Sequence, residues 1–203
     1  MTLDPGLAAR ARVLAGGGRR LLGITGAPGA GKSTLAAAVA AELGERAVVV
    51  PMDGFHLAQA ELERTGRADR KGAPDTFDAA GFVALLRRLR SETGTVYAPE
   101  YRRDLRNPVA GAIAVHADVP LVVVEGNYLL LDAFGFEPVA GLLDESWFVA
   151  PDDAVRLERL VARHVAFGKS PDAARAWSHG PDERNAVLVA ATAARADLVV
   201  RPA

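Results

Sequence analysis

The 203-residue chain contains no cysteine and only three lysines, Lys32, Lys71 and Lys169, its other basic residues being arginines. The absence of cysteine excludes disulfide bonds, cysteine-ligated zinc and catalysis by a thiol. Long hydrophobic runs are also missing, since the apolar stretch at residues 121–124 is far too short to span a bilayer. Residues 1–20 contain no extended apolar core, so we expect no signal peptide, no membrane partner and a cytoplasmic location.

Neither sign of charge dominates the composition, because 24 lysines and arginines nearly balance 25 aspartates and glutamates. The resulting net charge of −1 gives no electrostatic reason to expect nucleic acid as a partner. Half of the residues are hydrophobic, and the length suits one domain with a substantial core. The sequence leaves the oligomeric state open, and a homodimer is compatible with it.

Apolar segments alternate with helical patterns along the chain. Strands are predicted over residues 21–25, 47–51, 121–124, 146–149 and 198–201, with short strands over 95–101 and 112–115. Helices are predicted over residues 33–43, 78–90, 152–167 and 182–196. Apolar strands that are separated by helices indicate an α/β fold, in which helices cover both faces of a mainly parallel central sheet.

A glycine-rich loop lies between the first predicted strand and the first predicted helix. Its sequence, Gly-Ala-Pro-Gly-Ala-Gly-Lys-Ser at residues 26–33, fits the phosphate-loop pattern G-x-x-x-x-G-K-[ST] in the expected context. Glycines let backbone N–H groups curl around phosphate oxygens, and the helix N-terminus adds a favourable dipole. Lys32 can reach the β- and γ-phosphates, and the Ser33 hydroxyl can bind Mg²⁺. The alternative is a glycine-rich turn with an incidental lysine.

The loop predicts ATP or GTP binding within a three-layer fold of the P-loop NTPase type. We take ATP and Mg²⁺ as the expected cofactors. The candidate nucleotide-binding residues are Gly26, Ala27, Pro28, Gly29, Ala30, Gly31, Lys32, Ser33 and Thr34.

Two of the apolar strands each lead into an acidic residue. Glu125 follows the strand at 121–124, and Asp53 follows the strand at 47–51. Because ligands bind at the carboxyl edge of open α/β sheets, we expect Glu125 to hold Mg²⁺ or its waters. Asp53 is the candidate base that accepts the proton of an acceptor hydroxyl. The alternatives are a solvent-exposed glutamate, and an aspartate that binds metal or caps the next segment.

These motifs together resemble the uridine kinase, phosphoribulokinase and pantothenate kinase group of P-loop kinases, over nearly the whole chain. The resemblance is carried by residues 26–33, by Met-Asp-Gly-Phe-His at 52–56, by Val-Glu-Gly at 124–126 and by an arginine-bearing helix at 156–163. The nearest pattern is a bacterial branch of nucleoside/nucleotide kinase-like and fructose-transport-system kinase-like proteins. Its further motifs correspond to residues 71–78, 97–103 and 125–130.

The resemblance implies roles for individual residues. Asp53 corresponds to the proposed catalytic base of uridine kinases, and Glu125 to an acid near the metal. The implied acceptor site consists of Asp53, Phe55, His56, Lys71, Asp75, Arg103 and Glu125. Phe55 and His56 could instead pack the loop, and Asp75 could cap a helix. The sequence Tyr-Arg-Arg at 101–103 replaces the Phe-Asp-Arg of the branch, so this chain has an arginine where the branch has that aspartate.

A lid is expected at about residues 156–180, and a mobile acceptor-side loop at about 54–76. Arg156, Arg159 and Arg163 recur at helical spacings, with Leu157, Leu160 and Val161 expected on the opposite, core-facing side. Arg159 and Arg163 are candidate catalytic residues that would clamp the transferring phosphoryl group together with Lys32. The alternative is a solvated face paired with neighbouring acids.

The sequence therefore predicts a single kinase domain over residues 1–203. It would transfer the γ-phosphoryl group of ATP to a hydroxyl of a nucleoside, a sugar or a pantothenate-like alcohol. The alternative function is that of a nucleotide-hydrolysing switch without an acceptor. Against a GTPase, no lysine follows an asparagine, so the guanine-recognition motif Asn-Lys-x-Asp is absent.

Overall fold

The computed structural model describes residues 3–202. Its helices are α1 (Pro5–Leu14), α2 (Lys32–Leu43), α3 (Gln59–Arg64), α4 (Ala79–Ser91), α5 (Asp153–Ala166), α6 (Pro171–His179) and α7 (Pro181–Ala190). Its strands are β1 (Arg20–Thr25), β2 (Ala47–Pro51), β3 (Val96–Arg102), β4 (Asn107–Val115), β5 (Leu121–Glu125), β6 (Glu145–Val149) and β7 (Leu198–Val200). Within this part of the chain, no helix is long and apolar enough to cross a membrane.

Five strands form one sheet in the order β2-β5-β1-β6-β7, and every neighbouring pair is parallel. One face packs against α1 and α2, where Ala11, Leu35 and Val39 are buried. The other face packs against α4, where Phe82 and Leu86 are buried. The predicted three-layer α/β fold of the P-loop type is confirmed.

Helix α4 illustrates how local sequence produces these layers. Asp78 precedes the helix and its side chain accepts a hydrogen bond from the Gly81 N–H at 2.8 Å, which satisfies one free donor of the first turn. Phe82, Leu86 and Leu89 recur at spacings of four and three, and all three are buried against the sheet. The predicted helix over 78–90 therefore agrees with the structure to within one residue at each end.

The two short predicted strands form a separate antiparallel hairpin, β3–β4, outside the main sheet. The turn that follows β2 packs directly on this hairpin. A Cβ atom placed on Gly54 would lie 2.3 Å from the Pro99 carbonyl oxygen. The hairpin is therefore held against the segment that carries Asp53.

Three helices, α1, α3 and α6, were not predicted. Two of them carry start signals in the sequence: Asp4 caps α1 ahead of Pro5, and Ser170 caps α6 ahead of a proline. The predicted helix over 182–196 was too long, since α7 ends at Ala190. Gly180 separates α6 from α7, so the chain forms two short helices there.

We predict that Gly54→Ala destabilises the protein by about 1–3 kcal/mol, because the added methyl group meets a backbone carbonyl that cannot rotate away. Urea unfolding measures the effect. Gly94→Ala is the matched control, since a Cβ atom there meets nothing within 4 Å. Equal stabilities of the two variants would contradict the close packing of the hairpin.

Candidate active site

The carboxyl ends of β1, β5 and β2 meet at one edge of the sheet. In the parallel register, Ile24 of β1 and Pro51 of β2 both pair with Glu125 of β5. The phosphate loop therefore begins beside Glu125, and Asp53 follows two residues after the end of β2. The pairing brings together three segments that are far apart in sequence.

The phosphate loop needs its glycines for two separate reasons. Gly29 and Gly31 have φ values of +83° and +96°, which lie in the left-handed region that glycine tolerates. A Cβ atom on Gly29 would lie 2.7 Å from the Arg156 carbonyl oxygen, and one on Gly26 would lie 2.6 Å from the Val149 carbonyl oxygen. The loop is thus wedged between the end of β6 and the first turn of α5.

Lys32 and Ser33 open α2 and reach neighbouring groups of the loop and of β5. The Lys32 Nζ donates to the Ala27 carbonyl oxygen at 3.0 Å, and the Ser33 hydroxyl donates to Glu125 Oε1 at 3.2 Å. Burial lowers the pKa of Lys32 to about 8, although the carboxylates of Glu125 and Asp53 oppose this effect. Burial and the charge of Asp53 raise the pKa of Glu125. A phosphate anion here would stabilise the charged lysine.

The side-chain oxygens near Lys32 and Ser33 suit Mg²⁺, an ion that proteins seldom coordinate with their own side chains alone. Mg²⁺ prefers oxygen ligands and commonly keeps waters beside one or two carboxylates and substrate phosphates. Ser33 and Glu125 supply such oxygens, with Asp53 nearby. Across residues 3–202, no group of three or more histidine or acidic side chains could hold a metal ion by itself. The residues present therefore fit an ion completed by nucleotide phosphates and water.

Asp53 lies in a short 3-10 turn, Met52–Phe55, and is fixed through its backbone while its side chain stays accessible. The His56 Nδ1 atom is 2.9 Å from the Asp53 carbonyl oxygen and 3.9 Å from its carboxylate. The His56 ring contacts the rings of Phe77 and Tyr101, with centroids 4.0 and 4.9 Å away. Burial lowers the pKa of His56, so the imidazole is neutral near pH 7 and leaves the Asp53 carboxylate without a cationic partner there.

These side chains face one cleft of about 490 Å³. Nine of the predicted site residues line it: Pro28, Lys32, Ser33, Asp53, His56, Lys71, Arg103, Glu125 and Arg163. The first three of these belong to the phosphate loop. The cleft thus combines a phosphate cradle with acids and unpaired cations.

Three of the predicted catalytic or acceptor residues do not line the cleft. Phe55 packs edge-on against Phe82 of the core, with ring centroids 5.3 Å apart. Asp75 forms an ion pair with Arg70 at 2.9 Å. Arg159 is exposed on the outer side of α5. The helical and loop geometry directs each of them elsewhere.

The predicted faces of α5 were wrong. Arg156 is buried together with Leu160, so an arginine and a leucine share the inner face. The Arg156 guanidinium donates to the Pro28 carbonyl oxygen at 3.3 Å and to Glu183 Oε2 at 2.6 Å. Arg156 therefore links the phosphate loop to α7.

The cleft also contains residues that sequence reasoning did not assign to the site. Tyr101, Arg106, Asn127, His164, Lys169, Trp177 and Asp182 are among them. His164 on α5 and Asp182 on α7 form a pair, with Nε2 and Oδ2 2.7 Å apart. Their separation in sequence follows no ligand or triad spacing, so only the packing of the helices identifies them. Asn127 directly follows the Glu-Gly motif, a signal that could have been used.

A single carbonyl group connects the two sides of the cleft. The Gly72 carbonyl oxygen accepts hydrogen bonds from the Tyr128 hydroxyl at 2.6 Å and from the Asn185 Nδ2 at 3.2 Å. Burial strongly raises the pKa of Tyr128, so its hydroxyl remains a donor. The segment 54–76 is thereby tied to α7, which follows the arginine-bearing helix.

Comparisons with known proteins agree with this geometry. The profile of the Phosphoribulokinase / Uridine kinase family matches residues 21–201. An ATP-dependent kinase-like protein of Aspergillus versicolor is 38% identical over 133 residues, which cover 62% of this chain and 77% of that protein. The Escherichia coli K12 protein YggC is 35% identical over 178 residues, which cover 85% of this chain and 73% of YggC.

The fold also matches a solved structure closely. The crystal structure of a putative fructose transport system kinase from Silicibacter sp. TM1040 superposes with a TM-score of 0.85 at 38% identity, covering 96% of this chain and 98% of that one. The match of residues 21–201 confirms the resemblance that the sequence motifs predicted, and it indicates an ATP-dependent kinase. The chain belongs to the phosphoribulokinase/uridine kinase family.

Proposed function

We propose that this protein transfers the γ-phosphoryl group of Mg·ATP to a hydroxyl of a small metabolite. The observation that carries the proposal is the meeting of Lys32, the Ser33–Glu125 pair and Asp53 in one cleft of about 490 Å³. Membership of a kinase family supports ATP as the donor. A cleft of this volume suits a small metabolite beside the phosphates.

In the proposed reaction the acceptor oxygen attacks the γ-phosphorus as the bond to the β–γ bridging oxygen breaks. The hydroxyl proton passes to Asp53, and the negative charge of the leaving group remains on ADP. Lys32 and the amide groups of the phosphate loop hold the phosphates in place. Mg²⁺, when bound at Ser33 and Glu125, would neutralise charge on the β- and γ-phosphates.

Arg163 and Arg103 are the proposed contacts to the transferring group. Both line the cleft, and neither forms an ion pair with another of the residues 3–202. Arg163 lies close enough to Lys32, Asp53 and Glu125 for their charges to interact. We propose that residues 156–180 act as a lid that brings Arg163 onto the phosphates, while the segment 54–76 forms the acceptor side.

A coupled ADP-release screen tests the reaction class. Purified protein with ATP and Mg²⁺ is offered nucleosides, ketoses, pantothenate-like alcohols and sugar phosphates. We expect slow ATP hydrolysis in the absence of an acceptor, and a large increase in the rate of ADP release with one acceptor class. Rapid hydrolysis that no acceptor stimulates would instead support a nucleotide-hydrolysing switch.

We predict that Asp53→Asn keeps the affinity for Mg·ATP but lowers kcat by about 10²- to 10⁴-fold, because the variant cannot accept the acceptor's proton. Calorimetry measures the affinity, and the ADP-release assay measures kcat. Asp69→Asn is the control, since the Asp69 side chain is 81% exposed and lies outside the cleft lining. Near-normal turnover of Asp53→Asn would exclude Asp53 as the base.

We predict that Lys32→Met removes Mg·ATP binding without loss of folding stability. The folded protein holds a buried ammonium whose pKa is lowered to about 8 from 10.5, so the charged form opposes folding below pH 8. As pH rises from 8 towards 10, Lys32 loses its proton in the folded protein but keeps it in the unfolded chain. The free energy of unfolding of the wild type should therefore rise relative to that of the variant. Urea unfolding at pH 7 and pH 9.5 measures this difference, and calorimetry measures nucleotide binding. Retained Mg·ATP binding would refute the role of Lys32.

A further inference from the structure

The cleft carries more cations than its nucleotide end requires. Six basic side chains line it: Lys32, Lys71, Arg103, Arg106, Arg163 and Lys169. Three carboxylates line it: Asp53, Glu125 and Asp182. Of these acids, Asp182 already pairs with His164, while Glu125 and Asp53 lie near Lys32. The surplus positive charge is therefore available to ligands.

Two of these cations, Lys71 and Arg106, form a group with Tyr101. The Lys71 Nζ lies 5.4 Å from the centre of the Tyr101 ring and donates to the Arg106 carbonyl oxygen at 2.9 Å. The Arg106 guanidinium forms no hydrogen bond or ion pair with any of residues 3–202. Burial and the nearby charge of Arg106 lower the pKa of Lys71, although the charge of Glu63 partly opposes this effect. We call Lys71, Tyr101 and Arg106 the distal cation group.

The backbone that presents Arg106 is held in an uncommon conformation. Arg106 has a φ of +53° in the turn between β3 and β4, a region that arginine seldom occupies. Such conformations persist where surrounding contacts hold them, and they concentrate at ligand sites. The contacts here come from the acceptor side: Lys71 binds the Arg106 carbonyl, and the Asn107 Oδ1 accepts from the Gln59 N–H at 3.0 Å.

The distal group lies on the same side of the cleft as Asp53. Burial and the charge of Asp53 raise the pKa of Tyr101, so the Tyr101 hydroxyl stays protonated and can donate. The His56 ring contacts Tyr101 and its Nδ1 contacts the Asp53 backbone, which joins the proposed base to the group through two contacts. The cleft therefore has room for a ligand that offers its hydroxyl to Asp53 and also reaches these cations.

We propose that the acceptor carries a phosphate monoester, as a sugar phosphate does, and that Lys71, Arg106 and Tyr101 bind this phosphate while a hydroxyl of the same molecule faces Asp53. An ammonium, a guanidinium fork and a hydroxyl together offer several donors to the phosphate oxygens. The inference rests on the proposed kinase function and narrows its acceptor class.

The first test compares acceptors in matched pairs by ADP release: ribose with ribose 5-phosphate, fructose with fructose 6-phosphate, and uridine with uridine monophosphate. We expect turnover with a phosphorylated member and little with its neutral partner. Arg106→Asn and Lys71→Gln should raise the KM of that acceptor by about tenfold to a hundredfold, with kcat and the KM of ATP nearly unchanged. Asparagine suits position 106 because it tolerates positive φ.

Arg102→Gln is the matched control, since it removes one arginine from the same hairpin. The Arg102 guanidinium pairs with Asp104 at 2.9 Å and lies outside the cleft lining, so acceptor kinetics should not change. Arg106→Lys keeps the charge and should restore part of the acceptor affinity. A KM effect that appears equally in Arg102→Gln would reflect overall charge and overturn the assignment.

The second test does not depend on turnover. Protein saturated with Mg²⁺ and a non-hydrolysable ATP analogue is titrated with inorganic phosphate in a calorimeter, so that the phosphate loop is already filled. We expect phosphate binding that Arg106→Asn weakens and Arg102→Gln does not. Absence of phosphate binding, or preference for the neutral acceptors, overturns the inference and leaves the kinase proposal intact. If the ATP analogue does not bind, the result instead contradicts the kinase proposal itself.

Discussion

The parallel register of β1, β5 and β2 is the constraint on which the site depends. It sets Ile24 and Pro51 on either side of Glu125, so that the phosphate loop, the acid of β5 and the turn that carries Asp53 meet at one edge. Hydrogen bonds between the strands fix this alignment, and burial of the strand side chains in the two apolar layers stabilises it. A shift of the register would separate Ser33 from Glu125.

Burial at this edge also determines the electrostatics. Among residues 3–202, no carboxylate lies within hydrogen-bonding distance of the Lys32 ammonium, which instead donates to the Ala27 carbonyl oxygen. Desolvation lowers its pKa and raises that of Glu125, so both groups gain when anionic phosphates and a divalent cation arrive. The same burial that lowers the pKa of Lys32 therefore makes its charged form costly to folding and favourable to phosphate binding.

Side chains from different walls of the cleft donate hydrogen bonds to the same few backbone carbonyl groups, which connects the walls. Arg156 reaches the carbonyl group of Pro28 from α5, and Tyr128 and Asn185 both reach the carbonyl group of Gly72. Side-chain hydrogen bonds to backbone carbonyl groups therefore join the phosphate loop to α5, and the segment 54–76 to α7.

The sequence by itself determined the alternation of strands and helices, the phosphate loop and the two acids at strand ends, because these depend on local patterns and on one rule about sheet edges. The sequence also identified the family, because each motif that carries the resemblance is a continuous stretch of residues. It did not determine which arginine of α5 faces inward. Arg156 is buried and pairs with Glu183 of α7, and Arg163 lines the cleft while Arg159 does not. The positions of Arg106, His164 and Asp182 in the cleft wall come from the hairpin turn and from the packing of α5 and α7. Only tertiary structure decided these, because long-range contacts and not local spacing select the face that each helix or turn presents.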